Sequence, residues 1–330
     1  MKIKKGLLYI IILLLVSSCG ENNDHLPAIT GNTGEVLLVM DKPFIDSECG
    51  KIIIRYLKIS YPQLPQEEPA IDVISISPAE LNGTLMTHRN ILICKIGGIP
   101  NTAAGIKTEK DKWASPQSVM ELSSPDADSF IKLVEKEHKR ISQFFISEEQ
   151  KRLTQNYRLY SDRDISKKIT EIFGIKMAIP KGYKIENEGN SFLRISNETQ
   201  HCRQGIIIYS LDDDFDYKSN CSDFLIVHDS VLKYNFTSQS YSSWMATEKD
   251  LPVVMDTLNI SGISVTEIRG LWRTENDFTG GPFILDYFKN TKTGRTIVLM
   301  GYVYAPRHEK RPYIQQVEAI VYSIELDNNR

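Results

Sequence analysis

The densest run of side chains able to do chemistry is Trp272-Arg273-Thr274-Glu275-Asn276-Asp277. It falls where a strand-like stretch runs out into Thr279-Gly280-Gly281-Pro282, and loops at strand ends are common seats of function. Glu275 and Asp277 could act as general acid and base, or accept hydrogen bonds from a ligand. The same residues suit a structured hairpin, with Asn276 and Asp277 satisfying turn amides and Arg273 paired to Glu275. His88-Arg89-Asn90 precedes the apolar Ile91-Leu92-Ile93 and offers an imidazole, a guanidinium and an amide. Such a group could hold an anion or assist acyl chemistry, yet no G-x-S-x-G elbow supplies a nucleophile. The other reading is a loop closed by hydrogen bonds from Arg89 and Asn90.

Two further clusters invite an ion. Asp212, Asp214 and Asp216, with Asp223 at the twelfth place, resemble the start of a calcium loop. Tyr217 stands where that loop needs glycine, and a strand rather than a helix leads in, so a solvated acidic turn is the better reading. Arg307-His308-Glu309-Lys310-Arg311 precedes a helix start at Pro312, where free backbone amides and basic side chains favour an anion. A solvated basic loop is the alternative. There is no H-E-x-x-H, zinc spacing, phosphate loop or dinucleotide fingerprint. No catalytic residue, metal or cofactor is assigned.

The elements that must position these residues begin after an export signal. Lys2, Lys4 and Lys5 precede ten apolar residues, Leu7 to Val16, and then Val16-Ser17-Ser18-Cys19. The apolar run is too short for the roughly 20 residues of a membrane span, and the layout is that of a cleaved signal peptide. The ending resembles the lipobox of bacterial lipoproteins, in which the cysteine is acylated and becomes the mature N-terminus. The expected partner of Cys19 is therefore membrane lipid. Gly20 replaces the aspartate of an inner-membrane retention signal, which points to the outer membrane and leaves the leaflet open.

Residues 1–18 read as signal peptide and 19–33 as a polar tether. Residues 34–174 form an N-terminal α/β domain that ends in a helical block. Its strands are Glu35–Asp41, Ile71–Ile76 and Ile91–Ile96, with a helix over 44–59 and a loop over 97–112. Three helices follow: one after Ser124-Pro125-Asp126, one capped at Ser147-Glu148-Glu149-Gln150, and one from Ser161 or Asp162 to Gly174. Residues 175–330 form a second domain with strands at 175–179, 192–196, 205–211, 264–272, 283–288 and 296–304. A helix lies at 223–236, with Phe224, Val227, Val231 and Tyr234 on one face, and another starts at Pro312. The order βββαβββα predicts an antiparallel sheet with packed helices, an α+β fold, and is similar to that of the PsbP and Mog1 class of sandwiches.

With 41% hydrophobic and 25% charged residues, the chain can bury real cores. Its net charge of −3 becomes more negative once the signal lysines are removed, so nucleic acid is a poor partner. Cys49, Cys94, Cys202 and Cys221 remain after Cys19. Cys202 and Cys221 flank the acidic turn and are a candidate disulfide in an oxidising compartment, while Cys94 reads as a buried thiol.

Several stretches together resemble the bacterial lipoproteins of domain-of-unknown-function family 4837. They are Leu26–Gly31 with Gly34-Glu35-Val36, Tyr61-Pro62-Gln63-Leu64-Pro65-Gln66, His88-Arg89-Asn90, and Gly270–Asp277 with Gly280-Gly281-Pro282-Phe283. The resemblance spans about residues 26 to 325 and implies an exported, lipid-anchored protein with no known activity. Three functions are then open. The first is a non-catalytic protein that binds or organises another envelope component. The second is a module for a glycan, peptide or anion, using Trp272 and Arg273 with Trp244, Tyr302, Tyr304 and Tyr313. The third is a hydrolase using Glu275 or Asp277. Convergence of His88, Trp272, Arg273 and Glu275 on one pocket would favour the last two.

Overall fold

The computed structural model describes residues 26–97, 103–212, 221–236 and 243–327. The first domain is built on a five-stranded sheet. β1 (Glu35–Val39), β2 (Asp72–Ile76), β3 (Asn90–Ile96) and β5 (Ser118–Ser124) are parallel, in the order β2-β1-β3-β5. β4 (Gly105–Lys110) closes the edge antiparallel to β5. A short turn of helix, α1 (Lys42–Ile45), leads into α2 (Glu48–Leu57), and α3 (Ala127–Leu159) follows β5. The central strands are apolar on both faces because both faces are covered. Val36, Leu38, Leu92 and Met120 meet Ile52 and Ile53 of α2 and Phe130, Val134, Ile141 and Phe145 of α3. Leu37, Val39, Ile91 and Val119 pack with Leu81 and Trp113 on the other side.

Three expectations are corrected here. Residues 97–112 contain β4, whose sequence GIKTEK is too polar to read as a strand and is held by its ladder to β5. Ser147 starts no helix: α3 runs through it, and its hydroxyl donates to the Phe144 carbonyl at 3.0 Å. One buried line runs through both halves of α3, apolar at Phe130, Val134, Ile141 and Phe145 and polar at Glu149 and Arg152, so packing favours continuity. Residues 26–33 are not free tether. Ser115 donates to Pro27 O at 2.9 Å, and Thr30 exchanges backbone bonds with Thr87 and Arg89.

The second domain is an antiparallel sheet between helices. Its strands are β7 (Lys184–Glu188), β8 (Phe192–Glu198), β9 (Arg203–Leu211), β10 (Met245–Thr247), β11 (Val254–Ile260), β12 (Ile263–Thr274), β13 (Gly280–Lys289) and β14 (Thr296–Tyr304). They lie in the order β10-β12-β13-β14-β9-β8-β7, with β11 also on β12. The α+β architecture stands, with β7, β10 and β11 added to the expected strands. Residues 175–179 contribute only β6 (Ile175–Lys176), which pairs apart from the main sheet with β15 (Glu325–Leu326).

Alternation along the strands makes two cores. Ile206 and Ile208 face α4 (Arg163–Phe173) and α6 (Arg311–Val321), through Ile165, Ile169, Val317 and Ile320. Ile207 and Tyr209 face α5 (Cys221–Phe236), through Phe224 and Leu232. The buried line of α5 is Phe224, His228 and Leu232, whereas Tyr234, expected inward, is exposed. Because α4 shares the second core, the packing changes domain at the turn between α3 and α4, not near residue 174.

Residues 58–71 of the first domain hook over the second. Tyr61 donates to Glu318 at 2.6 Å and accepts from Arg269 at 3.0 Å, and its ring joins the core beneath α6. Glu68 accepts from the Lys310 and Arg311 amides, both at 2.8 Å. The stretch Tyr61–Gln66 that carries part of the family resemblance is thus an interdomain latch.

Candidate functional site

His88, Arg89 and Asn90 stand at the amino ends of the parallel strands. His88 Nδ1 lies 2.9 Å from Asn90 O, and its Nε2 faces the Glu35 carboxylate at 3.6 Å. Arg89 donates to Thr33 at 2.9 Å and lies 3.3 Å from Glu149. Asn90 donates to Glu35 O and to Glu149, and accepts from Arg152, which also donates to Glu149 and Ser118. Open α/β sheets bind ligands at the opposite, carboxyl ends of their strands. These residues form a buried polar tie between β1, β3, β5 and α3, so the loop-closing reading describes what they do.

Period two divides the Trp272–Asp277 string. Trp272 and Thr274 turn to the α5 face, and Arg273 turns to the face that carries Arg269. Arg273 pairs with Glu275 at 2.8 Å. Glu275 N donates to Trp244 O, Asn276 takes a left-handed φ of 65°, and Asp277 accepts from the Phe278 amide at 2.7 Å. His88 belongs to the other domain, so the four residues whose convergence would have marked an active centre do not converge. The hydrolase reading loses its geometric basis.

Trp272, Thr274 and Asp277 instead help line a groove of about 420 Å³. Its floor is aromatic. Trp272 Nε1 donates to Val303 O at 3.2 Å, and its ring meets Tyr302 edge-on at 5.6 Å and Tyr304 at 6.4 Å. Tyr302 can lie flat across β9 only because its cross-strand partner is Gly205, where a Cβ would come within 2.1 Å of the ring. The rim carries Arg194 and Arg203, paired to Glu186 and Glu198, with Trp244 and Asp277 opposite. Trp244 is overlaid by Lys233 Nζ, 4.1 Å from the ring centroid. Trp244, Tyr302 and Tyr304 were legible as flat surfaces, whereas Tyr313 packs against the opposite core. Arg194, Glu198 and Arg203 were missed. Their signal is a charge at alternate positions of β8 and β9, on the face that elsewhere carries Phe192 and Ile207.

Another concavity, of about 330 Å³, lies between α4 and β6, and its Arg158 pairs with Glu325 at 2.8 Å. The anion expected near Arg307–Arg311 is the chain's own Glu68. Cys202 and Cys221 are both free thiols, which removes the candidate disulfide. The physical reason is placement: Cys202 belongs to the core under α6 and Cys221 to the core under α5, with the sheet between them. Cys19 and Asp213–Asp216 lie outside the described residues. Among the described residues, no helix is long and apolar enough to cross a membrane, and no cluster of histidine, cysteine and acidic side chains is placed to hold a metal.

Two buried groups stand apart from the groove. Asp286 is fully buried, with no hydrogen bond to either carboxylate oxygen. Burial and the neighbouring Glu267 push its carboxyl well above the usual range. His228 bonds Tyr209 at 2.9 Å, and burial pushes its imidazole down to about 3.

Fold and surface together define a two-domain α+β protein: a mostly parallel sheet latched to an antiparallel sheet that bears an open aromatic groove. Residues 162–323 match the family described as Domain of unknown function (DUF4837). The resemblance reached further than this match, since residues 29–158 match a separate Domain of unknown function (DUF8532). The two matches meet at the turn between α3 and α4. No curated protein matches the chain. Among solved structures it is similar to a point mutant of the protein Mog1, at 12% identity and TM-score 0.30, over 47% of this chain and 92% of that one. The Ran-binding protein Mog1p of Saccharomyces cerevisiae gives 11%, 0.30, 47% and 90%. LpqN of Mycobacterium tuberculosis, involved in cell envelope biogenesis, gives 13%, 0.26, 44% and 79%. These similarities are too distant to bear on function.

Proposed function

We propose that this is a non-catalytic, exported protein, held to the cell envelope at the outer membrane by lipid on Cys19, which binds another envelope component through the Trp272 groove. The observation that carries this reading is the division of labour among polar residues. His88, Arg89 and Asn90 are spent on a buried tie within the first domain, whereas the groove sets the Arg203–Glu198 pair and Asp277 beside aromatic rings at an open surface. Concave sites of this size with a few polar groups are the usual form of a binding site. The signal sequence and the lipobox support the anchor.

Two measurements test the two halves. Labelling with a radioactive fatty acid should be lost in Cys19→Ala, and unchanged labelling would remove the anchor. In-cell crosslinking and mass spectrometry should enrich an envelope component over a lipid-anchored control, and Tyr304→Ala should reduce that enrichment. Equal recovery from wild type, variant and control would remove the binding role.

A further inference from the structure

We infer that the groove floored by Trp272, Tyr302 and Tyr304 takes a short neutral oligosaccharide. This rests on the reading of the groove as the binding surface and names its ligand class.

The argument begins with charge balance. Arg194 is paired to Glu186, and Arg203 donates to Glu198 at 2.5 Å. Asp277 adds an acid on the opposite rim. An anion would gain two guanidinium groups already neutralised by Glu186 and Glu198 and would meet Asp277 as well. A cation would find one rim carboxylate without a guanidinium partner, Asp277, which already accepts from the Phe278 amide, and would face Lys233 over Trp244. An alkyl chain would strip water from all of these polar groups without replacing its hydrogen bonds, which is costly for each one.

A sugar hydroxyl avoids each penalty because it donates and accepts at the same atom. A paired guanidinium and carboxylate offers both functions side by side and carries no net charge. Thr274 and Thr279, which share a hydrogen bond at 2.6 Å, repeat that dual character on the hairpin side. The aromatic residues supply the other half of the match. One face of a pyranose ring is a patch of C–H groups, and the groove offers it the partly exposed rings of Tyr304 and of Trp244, the latter with Lys233 over it. The volume of about 420 Å³ falls in the lower part of the range for small-molecule sites.

The full chain in detergent is titrated by tryptophan fluorescence with chitotriose, maltotriose, mannotriose and laminaritriose. Trigalacturonate and a pool of mixed-sequence decapeptides are the comparators. At least one neutral trisaccharide should bind, and Trp244→Ala and Tyr304→Ala should each weaken it about tenfold. Arg203→Ala should weaken it as well. Melting temperatures near that of the wild type show that each variant is folded, and the variants stand in for one another if one unfolds. Binding of the acidic trisaccharide or of peptides, with none of the neutral sugars, would overturn the ligand class and leave the groove reading intact. No binding in any arm would overturn both.

Discussion

Glu68 caps the helix that begins at Arg311. Its two carboxylate oxygens accept the Lys310 and Arg311 amides, both at 2.8 Å, from 242 and 243 residues away. Arg311 answers by donating to Pro69 O at 2.8 Å and by pairing with Asp72. A helix N-terminus leaves amides without partners and carries partial positive charge, so it takes up a carboxylate. Here the carboxylate comes from the other domain, which makes a local capping requirement into an interdomain bond.

Glu68→Ala should therefore cost more than an ordinary cap. Two buried amides lose an ionised acceptor, an expected loss of about 2–4 kcal/mol. Differential scanning calorimetry should show the single transition of the wild type split into two as the domains uncouple. A variant that melts in one unshifted transition would show that the latch bears no load.

Asp286→Asn should change stability in a pH-dependent way. Burial and the neighbouring Glu267 raise the folded pKa of the carboxyl. The stability it contributes is complete below its unfolded pKa of about 3.8 and is lost as pH rises through the window above it. Relative to Asn, the wild type should lose up to about 1.4 kcal/mol per pH unit across that window. Urea melts from pH 4 to pH 8 test this, and a constant difference between the two proteins would contradict it. Arg269, Tyr322 and Glu318 surround the site, so the effect should also loosen the latch at Tyr61.

His228→Gln tests the opposite sign. The imidazole is neutral in the fold, with its pKa pushed to about 3 from 6.5. Unfolded chains gain a proton below pH 6.5 that the native state refuses, so stability is complete above that pH and falls as pH drops toward 3. The loss should approach about 1.4 kcal/mol per pH unit, and it should vanish in the glutamine variant. Matched acid slopes in both proteins would place the acid sensitivity elsewhere.

Gly31→Ala should destabilise the first domain by about 2 kcal/mol or more. The residue has φ 87°, and a Cβ would lie 2.4 Å from His88 Nε2. The clash would push His88 from Glu35 and Asn90 and disturb the tie to α3. Chemical denaturation measures the cost, and tolerance of alanine would imply that the polar tie is loose.

Cys202 and Cys221 should both alkylate without reduction in denatured protein isolated from the envelope. A Cys202–Cys221 linked peptide in non-reduced digests would contradict the placement of α5 across the sheet from Cys202.

Local chemistry was legible wherever it depended on neighbours in sequence. The Asp162 cap and the Gly174 stop of α4, the two-domain α+β plan and most strands of the second sheet are of this kind, since capping and periodicity act over a few residues. What required the folded chain were relationships between distant residues and between faces. Strand β4 exists through its ladder with β5, and α3 continues past Ser147 because Glu149 and Arg152 are held in the buried polar tie to β3 and β5. Arg273 and Trp272 separate because adjacent strand residues point to opposite faces. Glu68 caps α6, and Gly205 makes room for Tyr302, only after the chain has brought them together. Backbone preferences are set by local sterics, but the pairing of a charge, a ring or a cap with its distant partner is settled by packing, which a one-dimensional pattern does not encode.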